Sequence, residues 1–552
     1  MGKMIFNTYQ RRHLEKAAVS ALILLGIFCT WTASALQHDK GYGEPYILSG
    51  NRLVFTTWYF VQPGKPDWRD SAHNSVYAKQ EARLKAGEAF FHYDDYPWGI
   101  EFVVEKPERL GPVIKREKPW ERMGLAPGPL LLDNGIYRLW AISQDEEGTT
   151  YSCYFESADG MNWQRPNLGL VEYRGNTDNN LYPGCPGFIF IDPSAPPEGR
   201  YKAVTLKDFE NIERFEKDYK ERRPYSIMAT ETDPGRVHSI YGSVSPDGFH
   251  WTTLADPLSV EISDTDITAY YDTSLKKYVM YTRSYTVGAR APQYSIETHQ
   301  RRNQFTARRA IGRSESATFN EFPLSETIIE PGPDMRPTDS YYTNCRTTIP
   351  GAPDNHLMFP AVYHLSSDTT SIELHTSYDG KVWHKMRGGS LADTGTDGQW
   401  DGGCIFARAN LVELPDGDWV LPYVGYVFPH KYPRGAWAYD VGMMRWPKGR
   451  LVALEAQDKG EFTTVAFLAP GEKIKVNATT KRAGGISVEA CDFNAKPIEG
   501  RSFADAIELS GDLFQTPVLW KKRIDTLGIK KNEPVVLRFR MNQTKLYGVD
   551  FE

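Results

Sequence analysis

Cysteine is scarce in this chain. Its 552 residues hold six, and Cys29 falls in a leader segment, which leaves Cys153, Cys185, Cys345, Cys404 and Cys491 scattered with no close pair. That spacing is neither a disulfide framework nor a zinc-ligand set, so no disulfide is predicted. The 12 histidines form no ligand pair of recognised spacing, and neither a metal nor any other cofactor is expected. Charge of one sign is lacking as well, since a formal net of −6 argues against a general nucleic-acid binder. The apolar run from Ala17 to Phe28 is too short for a membrane span. It follows Arg11, Arg12 and Lys16 and precedes Ala33-Ser34-Ala35, the layout of a cleaved secretion signal. "RRHLEK" matches a twin-arginine signal in part. Mature protein is expected to start near Leu36, secreted or periplasmic, with no membrane span after cleavage.

Aromatic residues are abundant, at 13% with 14 Trp and 31 Tyr, beside 46 Gly and 36 Pro. That mixture suits a sheet-rich, turn-rich protein and equally a surface on which sugars stack. The stretch "SADGMNW" at 157–163 returns as "SPDGFHW" at 245–251 and "SYDGKVW" at 377–383, with a worn copy, "SESATFNEF", at 314–322. Recurrence at such intervals marks a repeated structural unit. Asp-Gly favours a hairpin, because glycine takes positive φ freely and Asp and Ser bond their own local backbone. The motif is read as architecture rather than as a ligand site.

Upstream of these turns, strand-turn-strand segments recur at 127–143, 187–206, 267–285, 345–365 and 407–426. Each reads as two strands followed by two more, β-branched and aromatic throughout. Five such units predict an all-β chain, a five-bladed β-propeller followed by a C-terminal β-sandwich. The expected divisions are a signal peptide at 1–35, the propeller with an irregular N-terminal segment at 36–448, and the sandwich at 449–552. "GIEFVVEK" at 99–106 is expected to close the propeller, and "KDFENIERFEKDYKERR" at 207–223 has the spacing of an inserted amphipathic helix.

Ligands of a propeller gather where the inner strands open onto the channel, so the residues just before each are the candidates. They are Trp120 and Glu121; Asp178, Asn179 and Asn180; Asp264 and Asp266; Asp339, Tyr341 and Asn344; and Asp397, Trp400 and Asp401. Glycosidic cleavage needs one carboxylic acid to protonate the leaving oxygen and one carboxylate to activate water or attack carbon. Glu121, Asp264, Asp339 and Asp401 are the predicted catalytic carboxylates, with Glu121 as acid and Asp264 as base or nucleophile. Trp120, Asn180, Tyr341, Asn344 and Trp400 are predicted to bind substrate. Residues 289–313 carry six Arg and a single acid, Glu297. Arg301 and Arg302 there are expected to pair with carboxylate or sulfate.

Over the mature chain the sequence resembles the five-bladed propeller proteins related to glycoside hydrolase families 32, 43 and 117, and in particular an exported, poorly characterised group. The segments that carry the resemblance are "KPWE" at 118–121, "YFESADGMNWQRPNLGLVEYRGNTDNN" at 154–180, "RYKAV" at 200–204, "GQWDGG" at 398–403 and the terminal "LYGVDFE". It implies hydrolysis of a polysaccharide or oligosaccharide, and the basic segment suggests an acidic or sulfated one. The "NDPNG", "RDP" and "EC" boxes of family 32 are absent, and Pro127 stands where family 43 places its first Asp. Asp264 alone falls in a matching role. Two alternatives stay open. One is a non-catalytic carbohydrate-binding propeller. The other is a sialidase-like enzyme, which needs a Tyr nucleophile within an Arg cluster, although Ser-x-Asp-Gly-x-x-Trp is one residue short of the sialidase repeat.

Overall fold

A computed structural model describes residues 43–552, apart from 77–86, 185–186, 210–236 (other than Lys217 and Glu221), 262, 264, 287–288, 291–304, 307 and 432–437. The expected signal segment, Asp264, Arg301 and Arg302 lie outside the described residues. So does most of the helix expected at 207–223, whose first three residues instead end the strand Tyr201–Phe209. Among the described residues no helix is long and apolar enough to cross a membrane. The all-β reading holds: among the described residues antiparallel strands dominate, and apart from the helical Lys217 and Glu221 the helices are single 3-10 turns.

Antiparallel meanders follow one another along the chain. The first runs Gly124–Asp133, Ile136–Gln144, Thr150–Ser157 and Leu181–Tyr182. The second is Phe188–Ile191, Tyr201–Phe209, Val237–Ser245 and Thr252–Thr253, and the third Thr268–Asp272, Lys277–Tyr285, Arg309–Ser316 and Glu326–Ile329. The fourth, across 339–393, is split into two small sheets. Its long second strand breaks between Met358 and Ala361, where Pro360 has no N–H to give the ladder. The fifth is Cys404–Ala407, Trp419–Tyr426 and Tyr439–Trp446, completed by Glu108–Leu110 lying antiparallel to Tyr439–Trp446. That corrects the sequence expectation for the closing segment: Glu101–Val104 pairs instead with Val452–Glu455.

Both faces of these meanders are buried, as the run Cys153, Tyr154, Phe155 illustrates. Leu130, Leu139 and Phe155 pack with Val420 and Met443 of the fifth meander, while Leu131, Trp140 and Tyr154 pack with Ile189 and Ala203 of the second. Phe190 and Ile240 then meet Ala269 and Met280 of the third, and Val279 and Ile311 meet Met358 and Val362 of the fourth. Leu357 and Phe359 meet Ile405 and Leu421 of the fifth, which returns to the first through a parallel bridge from Tyr439 to Gly124. Each meander thus shares one cluster with the meander before it and one with the meander after.

The Ser-x-Asp-Gly turns stitch this ring. In the second meander Ser245 Oγ accepts the Gly248 amide at 2.9 Å, and Asp247 Oδ1 accepts those of Phe249 and His250, each at 2.9 Å. Gly248 sits at φ +87°, and its carbonyl takes the indole N–H of Trp140 from the first meander at 3.0 Å. The Gly380 carbonyl likewise accepts the Tyr281 hydroxyl of the third at 2.7 Å. Trp163, Trp251 and Trp383 are half-buried against three separate core clusters.

Beyond residue 451, Val452–Thr463, Ile474–Cys491, Asp512–Pro517 and Pro534–Phe551 form a second antiparallel assembly. Residues ahead of the meanders belong with it: Arg52–Leu53 pairs with Val549–Asp550, and Phe55 and Phe60 enter its core beside Phe462, Trp520 and Phe539.

Candidate functional site

The first strands of the meanders converge on a cavity of about 250 Å³. Its wall is mostly apolar or backbone, from Ala126–Pro129, Phe188, Thr265–Thr268, Cys345 and Ala409. Among the described residues, the charged ones in the lining are Asp266 and Arg408, which form an ion pair. Their side chains remain about a quarter exposed, at 26% and 22%. Asn344 braces this wall, donating to the Asp266 carbonyl at 2.6 Å and accepting from Thr268 Oγ1 at 2.7 Å. At 2% exposure it has no free face, so its role is to tie the third meander to the fourth.

Tyr426 links this cavity to a second cluster, centred on half-buried Tyr342. It lies within electrostatic reach of Arg408, Asp266 and Tyr342, and packs edge-on to Phe406 at 6.0 Å. Burial above all pushes its phenol up to about 12. The guanidinium of Arg283 lies 4.4 Å from the Tyr342 ring centroid and that of Arg309 5.0 Å. Lys431 Nζ is 5.7 Å from the centroid and 3.5 Å from the hydroxyl. His430 Nε2 is 2.7 Å from the same hydroxyl. Burial, then the charge of Lys431, pushes His430 down to about 4, so its imidazole is neutral near pH 7 and can accept the phenolic proton. Asp368 holds the loop in place, with Oδ2 accepting the Lys431 amide at 2.7 Å and Oδ1 the Tyr363 hydroxyl at 2.8 Å.

Glu121 lies elsewhere. Its side chain is 0% exposed, and both oxygens are occupied by Arg165, at 2.8 and 2.9 Å, and by the amides of Glu117 and Lys118. A carboxylate held by four donors and closed to solvent has no access to a sugar, so the general-acid assignment is corrected to a structural one. Trp120 is buried edge-on against Tyr173 at 5.3 Å and is no stacking platform. Asp401, 4% exposed, accepts from the Tyr423 hydroxyl at 3.1 Å and faces Arg109 at 3.4 Å. Trp400 packs on Tyr423 and over the backbone of Gly425 and Gly442, where a Cβ would come within 2.5 Å of its ring. Asp339 faces His364 Nδ1 at 3.2 Å, Tyr341 turns inward toward Glu373, and Asn180 holds the backbone of Tyr154. None of Glu121, Asp339 and Asp401 shares the cavity with Asp266.

Tyr342, His430, Lys431 and Arg283 were not singled out from the sequence. Strand alternation offered one clue: Tyr341 was chosen from "DSYYTN", and the neighbour pointing the other way is the one in the cluster. His430 and Lys431 sit in the connection between Trp419–Tyr426 and Tyr439–Trp446, away from the segments that precede the first strands.

No protein-family model matches the chain, and no curated protein matches it. Solved structures similar to it include a glycoside hydrolase at 12% identity, covering 68% of this chain and 97% of its own, with a TM-score of 0.38. A thermostable family-43 glycoside hydrolase is 13% identical over 60% of this chain and 93% of its own, with a TM-score of 0.36. A Bombyx mori family 32 β-fructofuranosidase is 9% identical over 77% and 90%, with a TM-score of 0.34.

Proposed function

We propose that the protein is an exported glycoside hydrolase of acidic glycans, working where the Tyr342 cluster meets the Asp266–Arg408 cavity. We read the meander ring as a five-bladed propeller and residues 449–552, with the strands that precede the ring, as a β-sandwich. The chain of shared core clusters supports that reading.

The observation that carries the function is the gathering of Arg283, Arg309 and Lys431 around one half-buried aromatic ring. A sugar carboxylate or sulfate would pair with Lys431 and Arg309 while the half-buried Tyr342 meets the sugar's apolar face. Asp266 is the carboxylate we assign to the reaction, with Asp264 as its partner in acid–base work. A second reading is favoured by the 2.7 Å contact between His430 and Tyr342. There the phenol is the nucleophile and the neutral imidazole takes its proton, as in the sialidase-like alternative.

Turnover of uronic-acid-containing and sulfated oligosaccharides, against neutral ones, tests both. Asp266→Asn should abolish turnover and keep binding under the first reading, and Tyr342→Phe should do so under the second. Binding without turnover of any substrate by the wild-type protein would leave a carbohydrate-binding module.

A further inference from the structure

A second cavity, of about 450 Å³, lies at the opposite end of the third meander's first strand. Thr268 begins that strand at the first cavity; Tyr270, Tyr271 and Asp272 end it at the second. The far wall comes from Arg346, Thr348, Asp354 and His356 of the fourth meander, with Tyr378 and Asp379 of its Ser-x-Asp-Gly turn. Ser49, from the segment ahead of the ring, closes one side.

Arg346 is 8% exposed and joins no ion pair among the described residues. Its guanidinium lies 3.3 Å from the Tyr270 ring centroid, and Nη2 is 2.6 Å from His356 Nδ1. Nε has no hydrogen-bond partner, and neither does the buried Tyr270 hydroxyl on the same wall. A buried guanidinium without a counterion is costly, and orphaned polar atoms on two residues that line one cavity point to a missing partner. The neighbouring acids do not fill that role. Asp272 Oδ1 accepts the amides of Ser274 and Leu275, and Asp379 Oδ1 those of Lys381 and Val382. Asp354 takes the amide and hydroxyl of Ser49, both at 2.7 Å. Lys381 is matched by Glu315 at 2.9 Å.

The polar groups differ in what they ask of a ligand. Arg346 calls for one negative charge. The second oxygens of Asp272 and Asp379 call for hydroxyl donors and would repel a dianion such as sulfate. Tyr271 and Tyr378 add aromatic surface. We propose that this cavity binds a hydroxylated monocarboxylate of monosaccharide size, a sugar-acid unit, at a site separate from the Tyr342 cluster. The volume suits such a ligand. Its naming as a sugar acid rests on the acidic-glycan reading above, while the demand for one carboxylate and several hydroxyls does not.

Calorimetric titration of the full chain with galacturonate and glucuronate, against glucose and inorganic sulfate, tests this. A uronate should bind at least ten-fold more tightly than glucose or sulfate. Thr348→Glu places a carboxylate two residues from Arg346 on the same strand face, and should weaken uronate binding at least ten-fold while raising the melting temperature. Arg346→Lys should weaken it comparably; if that variant does not fold, Thr348→Glu decides. The part of uronate binding that Thr348→Glu removes should persist in Arg309→Gln combined with Lys431→Met, whatever that variant loses at the Tyr342 cluster. Uronate binding that survives Thr348→Glu, disappears only in the Arg309/Lys431 variant, or is matched by sulfate would overturn the proposal. So would its absence in the wild-type protein.

Discussion

Glu121 and Asp266 stand in comparable places, each a carboxylate shortly before the first strand of a meander and each paired with an arginine. Their surroundings separate them. Glu121 is 0% exposed, with Arg165 on both of its oxygens and two backbone amides on Oε2. Asp266 has one arginine, a quarter of its surface and a cavity in front of it. A carboxylate held by four donors and closed to solvent is part of the frame. One with capacity to spare beside a cavity can take part in chemistry.

Substitution should expose that contrast. Glu121→Gln removes the buried counterion of Arg165, whose side chain is only 14% exposed and keeps just the exposed Glu117 at 3.4 Å, and should cost about 3–5 kcal/mol of stability in denaturant unfolding. Combining it with Arg165→Met should recover part of that loss, whereas additive losses would mean the pair is not coupled. Asp266→Asn should reverse the pattern. Stability should move by about 1 kcal/mol or less, since both partners of its ion pair reach solvent, while turnover falls by roughly a hundred-fold or more. Equal stability losses for the two would erase the distinction between frame and site.

Smaller effects sharpen it. Ser377→Ala removes the 2.9 Å bond to the Gly380 amide in a turn we read as architecture. A loss of about 1 kcal/mol with unchanged glycan binding is expected. A binding defect would return the motif to the ligand-site class. His430 gives the smallest change. Its folded pKa of about 4 lies below its ordinary 6.5, so between those values the unfolded chain binds the extra proton. Its contribution is complete above pH 6.5 and declines as pH falls toward 4. His430→Gln should flatten the stability profile in that window, measurable as melting temperature against pH.

The frame was legible in the sequence because its signals are local. Each Ser-x-Asp-Gly turn closes its bonds within three residues, and the strand patterns around it recur with the units. The site was less legible because its contacts are long-range. Arg165 lies 44 residues from Glu121, and Arg408 lies 142 from Asp266. An acid before a strand therefore reads the same whether an arginine has claimed it or a cavity faces it. Tyr342 was hidden differently. Its cations come from three distant segments, and its neighbour Tyr341 offered the same residue type on the inward face.

Comparing one matched pair of ligands tests the central claim most directly. Affinity for a uronic-acid oligosaccharide and for its neutral, carboxyl-reduced counterpart should be measured in the wild-type protein and in Arg309→Gln combined with Lys431→Met. The account predicts at least a ten-fold loss for the acidic ligand, little change for the neutral one, and a preference in the wild type that shrinks with added salt. Equal affinities of the wild-type protein for the two ligands, or equal losses in the variant, would contradict it.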